Sequence, residues 1–130
     1  MTLTHHELCF GCGSANLFGL QMELEEAGDG SVAGRFFLKQ DHQGPGGTAH
    51  AGVMASALEE AMVLALHARG VHARARELSV ELVAEAPVGI FLDVSASVEN
   101  GGHDGFGAVA TLSEGERVVA SARGSFALLE

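Results

Sequence analysis

One long apolar segment, with shorter alternating segments on both sides of it, limits the folds that this chain can adopt. From Ala51 to Arg69 the chain runs for nineteen residues with no proline, one glycine near the start and many strong helix formers. Apolar residues cover most of the helical circumference, so we expect a helix that is buried on nearly all sides. His67, Arg69 and Gly70 predict its end, because cations favour the negative pole of a helix and glycine favours the left-handed cap.

Alternation of apolar and polar residues predicts about six strands around this helix. Two segments alternate before the helix and four after it: 20–25, 32–38, 78–85, 90–99, 108–112 and 118–126. Turn signals rich in glycine, proline or polar residues separate them, at 27–30, 87–89, 100–102 and 113–116.

This order of elements predicts the fold class. A single helix cannot supply the crossovers that a parallel sheet requires, so the sheet is expected to be antiparallel. The economical way to bury a helix of about 28 Å, at 1.5 Å per residue, is to curl the sheet around it. The sequence therefore predicts an α+β fold, a curved antiparallel sheet of about six strands around one long central helix, as a single domain over residues 1–130.

Charge and hydropathy exclude several classes of function. The formal net charge is −10 with histidines neutral, from seventeen acidic and seven basic residues, which argues against a phosphate-binding surface for nucleic acid. The longest apolar run, Ala61 to Leu66, is far shorter than the roughly 20 residues of a membrane helix. The N-terminus has no basic region followed by an apolar stretch, so we expect no secretory signal and a cytoplasmic protein.

Two features, one just before the predicted helix and one within it, have residue types suited to catalysis. The polar, glycine-rich passage 41–50 delivers His42 and His50 to the helix start. Within the helix, Glu59 and Glu60 interrupt a run of Ala, Val, Leu and Met, where carboxylates are rarely placed for packing.

A helical wheel distinguishes the two carboxylates. Glu59 falls among apolar residues, between Val63 and Leu66, whereas Glu60 falls about 100° away on the polar edge of the helix. We therefore expect Glu59 to be the more unusual group. It is either a carboxylate that reaches solvent or a structural partner, or a base in apolar surroundings.

The segment HAGVMASALEEAM at 50–62, with HQGPG at 42–46 upstream, resembles the signature of hotdog-fold acyl-CoA thioesterases of the PaaI-like (phenylacetic acid degradation) and 4-hydroxybenzoyl-CoA thioesterase type. In that family the motif reads His-Gly-Gly, with an acidic residue nine positions after the histidine. The opening CFGCG at 9–13, followed by Asn16 and the Gly19-Leu20 pair, is also similar to the opening of many members.

The resemblance implies a function and a set of site residues. It implies hydrolysis of an acyl-CoA to the free acid and CoA, with no metal or redox cofactor. Glu59 matches the family's catalytic acid, which activates water or attacks the thioester carbonyl itself. The N–H of Ala51, with that of Gly52, matches the oxyanion donor, and His50 would orient the loop or the substrate.

Two positions depart from the family pattern. Ala51 stands where the family usually has glycine, so the N–H is kept but a methyl group lies beside the approach to the carbonyl. Gly44 stands six residues before His50, where related enzymes have Asn or Gln. Gln43 or His42 is expected to substitute for that residue in binding the substrate.

The spacing of the two catalytic groups predicts an oligomer. Glu59 lies eight residues beyond Ala51, roughly 12 Å along the helix axis, which is too far for both to touch one carbonyl. Two helices packed antiparallel about a two-fold axis would place Glu59 of one chain near Ala51 of the other. We therefore predict a homodimer with two composite sites, and leave open whether dimers pair into tetramers.

The N-terminal cluster His5, His6, Cys9 and Cys12 has the ligand types of a zinc site. The two cysteines are too close together to staple distant parts of the fold. Their tight spacing would give a small knuckle with little core beneath it, so we expect thiols packed against the sheet and no metal.

Two rival functions remain open at this stage. One is a hotdog protein that binds acyl-CoA or another acyl ligand without hydrolysing it, since a fold does not fix an activity. The other is a thioester dehydratase or hydratase. Glu59 favours the hydrolase, whereas Ala51 and Gly44 leave room for the binding protein.

Overall fold

The structure, a computed structural model, describes residues 1–99 and 105–129. Its helix and strands follow in this order: β1 (Glu23–Glu26), β2 (Val32–Phe37), α1 (Ala51–His67), β3 (Ala73–Leu82), β4 (Phe91–Glu99), β5 (Phe106–Glu114) and β6 (Arg117–Leu128). Two short 3-10 turns, Gln40–His42 and Pro45–Gly47, lie between β2 and α1.

The six strands form one antiparallel sheet in the order β1-β2-β4-β5-β6-β3. The helix α1 contacts all six strands and packs mainly on β4 and β5 at the centre, so the sheet curves around it. The predicted α+β fold of six antiparallel strands and one helix is confirmed.

The core lies between α1 and the concave face of the sheet. Strand β4 shows how the sequence builds it, because Leu92, Val94 and Ala96 are buried while the residues between them face outward. Leu58 and Met62 of α1 are fully buried against this layer. Burial of this apolar area stabilises the fold by roughly 25 cal/mol per Å².

The first predicted strand, 20–25, begins later than expected, at Glu23. Gln21 has a φ of 50°, a left-handed value that interrupts extended backbone. The N–H of Met22 bonds to the carbonyl of Gly11 at 2.9 Å, so the residues before β1 hold the N-terminal segment 1–19 against the sheet.

The third predicted strand, 78–85, runs instead from Ala73 to Leu82. Its first half pairs with the end of β6, with Ala73 opposite Leu128. The pattern missed this half because in its sequence, ARARE, only two small alanines alternate with charged side chains, which lie on an exposed edge and give a weak apolar signal.

The ends of the remaining elements follow the sequence closely. Helix α1 stops at His67 rather than Arg69, and Gly70 has the expected left-handed backbone, with a φ of 79°. The turns at 27–30 and 113–116 join antiparallel neighbours as predicted. The predicted turn at 100–102 lies outside the described residues. Within 1–99 and 105–129, no helix is both long and apolar enough to cross a membrane.

Candidate functional site

The loop that precedes α1 is held together around His42. This side chain is buried, at 2% exposure, and its Nδ1 accepts the N–H of Lys39 at 3.0 Å. Its carbonyl accepts the N–H of His50 at 2.9 Å, which ties the loop to the helix start. The buried Nε2 has no hydrogen-bond partner among the residues that the structure describes. His42 therefore orders the loop and keeps one ring nitrogen available.

The departure from the family pattern at Gly44 has a steric reason. A Cβ at this position would lie 2.8 Å from the Cα of His50, so the loop passes too close to the helix start for any side chain. The neighbouring Gln43 has an exposed side chain whose Nε2 donates to the carbonyl of Gln40 at 3.3 Å. An amide group is therefore present one residue earlier, facing solvent.

His50 is the N-cap of α1. Its Nδ1 accepts the N–H of Gly52 at 2.8 Å, which satisfies one of the free donors of the first turn. Gly52 thus differs from the expectation, because its N–H is already used by the cap. The exposed Ala51 donates no hydrogen bond to any described residue, so its N–H is the donor that remains for an oxyanion.

Glu59 lies two turns further along α1 and is partly buried. Burial raises the pKa of its carboxyl above the ordinary value. No hydrogen bond or ion pair joins it to another described residue. Glu59 shares the less buried stripe of the helix with Gly52 and Ser56, and the next residue on that stripe, Val63, is buried. The carboxylate therefore stands at the margin of the core rather than inside it.

The single chain does not bring Glu59 and Ala51 together. They belong to one straight helix, roughly 12 Å apart along its axis. Two of the chain's surface cavities lie elsewhere, on the outer face of the sheet around Ser79, Glu99 and Arg123. A site that uses both groups therefore needs a second surface.

No protein-family model matches the sequence, and no curated protein matches it either. Among solved structures, a thioesterase superfamily protein superposes with a TM-score of 0.84 at 24% identity, over 91% of this chain and 62% of that one. This chain therefore spans less than two thirds of that protein.

Two further solved structures cover most of both chains. A Bacillus halodurans protein, determined with CoA, has a TM-score of 0.74 at 25% identity over 85% of this chain and 76% of its own. The Escherichia coli PaaI protein, from the phenylacetic acid degradation operon, has a TM-score of 0.76 at 17% identity over 87% and 86%. The chain has the hotdog fold, which these solved structures share.

The sequence-based prediction that Glu59 is more deeply buried than Glu60 was wrong. Glu60, expected on a polar edge, is the more deeply buried of the two, at 4% exposure. The N-terminal segment covers that edge, and Gly11 lies so close to the Glu60 side chain that a Cβ there would overlap it. Burial raises the pKa of Glu60 to about 7. A helical wheel considers only the helix, so it could not include this cover.

Glu60 belongs to a second cluster in the hotdog chain, with His5, Cys9 and Cys12. One ligand atom of each residue lies within 4.8 Å of the others. Burial, followed by the contact with Glu60, raises the pKa of the Cys12 thiol. Sequence reasoning found the two cysteines and the histidine but missed Glu60, which lies 48 positions further along the chain than Cys12.

Proposed function

We propose that this protein is an acyl-CoA thioesterase that works as a homodimer. Each site would combine Glu59 of one protomer with the Ala51 N–H of the other. The observation that carries the proposal is Glu59 itself, a carboxylate without a partner among the described residues, in surroundings that raise its pKa. Such a group suits proton transfer or nucleophilic attack better than it suits packing.

The surface of the single chain supports a dimer. Strand β3 is ten residues long and forms an edge of the sheet, where its outer hydrogen-bonding groups have no strand partner among the described residues. Leu78 and Leu82 are 40% and 50% exposed, although they lie on the same face of β3 as the partly buried Val80. A second β3 paired antiparallel about a two-fold axis would cover this edge and those leucines.

The same axis would place two α1 helices side by side. Their half-exposed stripes carry Gly52, Ser56 and Glu59, so small residues allow a close approach near the helix start. Antiparallel helices would bring the Glu59 carboxylate of one chain to the first turn of the other. There the helix N-terminus supplies positive potential and the Ala51 N–H.

The reaction then needs only residues of the chain and water. The thioester oxygen accepts the Ala51 N–H, which stabilises the negative charge of the tetrahedral intermediate. Glu59 removes a proton from water as the water oxygen bonds to the carbonyl carbon. The carbon–sulfur bond breaks, and the proton passes from Glu59 to the departing thiolate. In the alternative route Glu59 attacks the carbonyl carbon, the carbon–sulfur bond breaks, and the departing thiolate takes a proton from solvent. Water then hydrolyses the resulting anhydride to the free acid and the Glu59 carboxylate.

The structural neighbours support the choice of substrate class. The Bacillus halodurans protein was determined with CoA, and PaaI comes from a phenylacetic acid degradation operon. In this proposal His50 orients the acyl group, and His42, whose Nε2 is buried, supports the loop that joins His50 at the helix start.

One observation favours a binding protein without hydrolase activity as the second candidate. Because the N–H of Gly52 is used by His50, each site would keep a single backbone donor for the oxyanion. The Ala51 methyl group also stands beside that donor. These features weaken carbonyl polarisation more than they weaken binding.

Release of free thiol from a panel of aromatic and aliphatic acyl-CoA esters tests the proposal. We expect turnover by the native chain and a loss of roughly 10²–10⁴-fold in kcat for Glu59→Gln, with the dimer intact. The exposed Glu85→Gln is the matched control and is expected to match the native rate.

Two results would contradict the hydrolase. Unchanged turnover in Glu59→Gln removes the carboxylate from the reaction. Tight binding of acyl-CoA with no thiol release by the native chain selects the binding protein instead. Hydrolysis in heavy-oxygen water tests the nucleophilic route, because label appears in Glu59 after a single turnover only if water attacks the Glu59 carbonyl of an anhydride.

A further inference from the structure

We infer that His5, Cys9, Cys12 and Glu60 form a zinc site that fastens the N-terminal segment to the central helix. This inference does not depend on the proposed hydrolase activity. It concerns a different carboxylate, on a different side of α1, from the one assigned to the reaction.

The ligand atoms of the four side chains lie close to one another. His5 Nδ1 lies 3.4 Å from Cys12 Sγ and 3.0 Å from Glu60 Oε2. In a tetrahedral zinc site, bond lengths of about 2.0–2.3 Å place ligand nitrogen and sulfur about 3.5 Å apart, and ligand nitrogen and oxygen about 3.3 Å apart. With all four ligand atoms within 4.8 Å of one another, a tetrahedral site needs only small side-chain adjustments.

The carboxylate of Glu60 points independently to a ligand. Glu60 is 4% exposed, and its Oε2 has no hydrogen-bond partner among the described residues. His5 Nδ1 is near enough, but its approach lacks hydrogen-bond geometry, so that contact leaves the oxygen unsatisfied. A buried carboxylate oxygen is costly unless a cation or donor compensates it. A metal ion at the centre of the cluster supplies that compensation.

The backbone around the cysteines has the form of a metal-binding turn. Cys9 and Cys12 have the Cys-x-x-Cys spacing of zinc knuckles, followed by Gly13. The N–H of Gly11 donates to Cys9 Sγ at 3.3 Å, and the N–H of Gly13 donates to the Cys9 carbonyl at 2.9 Å. Hydrogen bonds of this kind orient a ligand and stabilise the charge on a thiolate.

The donor set selects the metal. Two thiolates and one imidazole favour zinc over magnesium or calcium, which prefer oxygen ligands throughout. Binding of Zn²⁺ would release to solvent the two thiol protons and any proton held by the Glu60 carboxyl, and would leave a site with a formal charge of −1. Four protein ligands leave no position open, so the expected role is structural.

The fourth ligand answers the sequence-based objection to a metal. Cys9, Cys12 and His5 alone would form a knuckle with little core beneath it. Glu60 lies in the most buried part of α1, so the ion would join the knuckle directly to the core. The site would therefore add stability to the whole fold and order the N-terminal segment.

Metal analysis of the untagged, full chain tests the site. The reduced protein is unfolded with a chelator and refolded with or without Zn²⁺, and its metal is measured by mass spectrometry. We expect about one zinc per chain and a melting temperature higher by at least about 5 °C with zinc. Replacement by Co²⁺ should give a thiolate-to-metal charge-transfer band and the visible bands of a tetrahedral site.

Neighbouring histidines provide matched variants. His5→Asn should lower zinc affinity by at least about tenfold. His6→Asn should leave it unchanged, because the His6 side chain accepts the N–H of Leu8, while the contact of His6 with Cys9 is made by its backbone carbonyl and is kept in the variant. Glu60→Gln should weaken binding, while Glu59→Gln should keep one zinc and lose hydrolysis. Metal content and hydrolysis therefore fail independently.

Three results would overturn the site. The first is refolded native protein that takes up no zinc, including protein in which a Cys9–Cys12 disulfide has first been reduced. The second is a cobalt spectrum without the thiolate band, a measurement that needs no variant to fold. The third is equal zinc affinity in His5→Asn and His6→Asn.

Discussion

Glu59 and Glu60 show how one step along a helix changes the chemistry of a carboxylate. A step of 100° moves the side chain from the half-exposed stripe of α1 to the surface beneath the N-terminal segment. Burial raises the pKa of both carboxyls, but only Glu60 has thiols and an imidazole around it. One carboxylate is therefore placed to react with a ligand from outside, and the other to bind within the chain.

The Glu60 side chain fits against the N-terminal segment only because residue 11 is a glycine. A Cβ on Gly11 would lie 2.7 Å from the Cδ of Glu60, which is closer than packed atoms allow. We expect Gly11→Ala to lower the free energy of unfolding by about 1–3 kcal/mol, because overpacking forces the segment away from the helix. Urea unfolding followed by circular dichroism measures the change.

Gly28→Ala is the control for this substitution. A Cβ on Gly28 would meet no atom within 4 Å, so its effect should stay within about 0.5 kcal/mol. Equal stability of the two variants would mean that the N-terminal segment does not rest on Glu60.

Sequence reasoning at the residue scale succeeded where a local pattern was sufficient. It found His50 and Ala51 at the helix start because a polar passage meets an apolar run there. It ranked Glu59 above Glu60 in burial, and this prediction was wrong. The N-terminal segment, which is far from Glu60 in the sequence, covers the Glu60 side chain. Contacts between distant segments are not encoded in helical periodicity.

At the scale of elements, the start of α1 is the most informative part of the molecule. Its cap uses the N–H of Gly52 and leaves that of Ala51 free among the described residues. His50, before it, has φ −64° and ψ 138°, the extended backbone that is compatible with a following proline. Ala51 is therefore a position where one donor can be removed without breaking the helix.

Ala51→Pro removes this donor selectively. Proline is favoured at the first helical position, where its missing N–H costs no helical hydrogen bond, so we expect a folded protein of similar stability. If the Ala51 N–H stabilises the oxyanion, kcat should fall by roughly 10²–10³-fold with little change in KM. Steady-state thiol release and circular dichroism measure the two effects.

Ala51→Gly is the matched control, because it keeps the N–H and removes only the methyl group. Its kcat should equal or exceed the native value. A native rate in Ala51→Pro would show that another group stabilises the oxyanion.

The elements themselves were largely predictable from the sequence. Strand β4 alternates cleanly because one face meets α1 and the other meets solvent, and its predicted range differs from the observed one by one residue. The start of strand β3 was predicted five residues too late and its end three residues too late, because an edge strand has less burial to impose a pattern. The predictable strands are those whose environment repeats every second residue.

For the whole molecule, the proposed assembly accounts for two features that a single chain leaves unexplained. The β3 edge exposes Leu78 and Leu82. On α1, Glu59 lies two turns beyond Ala51, too far for both to contact one carbonyl group. One two-fold axis would cover the first and complete the second. Activity and assembly would then be inseparable, because each site would need groups from both chains.

Subunit mixing tests this assembly directly. Equal amounts of Ala51→Pro and Glu59→Gln chains are unfolded and refolded together, and thiol release is compared with that of native protein. Random pairing makes about half of the dimers mixed. In each mixed dimer one site has lost both groups, while the other combines the native Glu59 of one chain with the native Ala51 of its partner. The mixture should therefore recover about a quarter of native activity.

The matched mixture pairs native chains with chains that carry both substitutions. Every site of these mixed dimers lacks one of the two groups, so only native dimers work and activity should again be about a quarter. If each site were instead built within one chain, the first mixture would be inactive and the second would keep about half of native activity. The two mixtures therefore give equal activities only if the carboxylate and the amide act across the subunit interface.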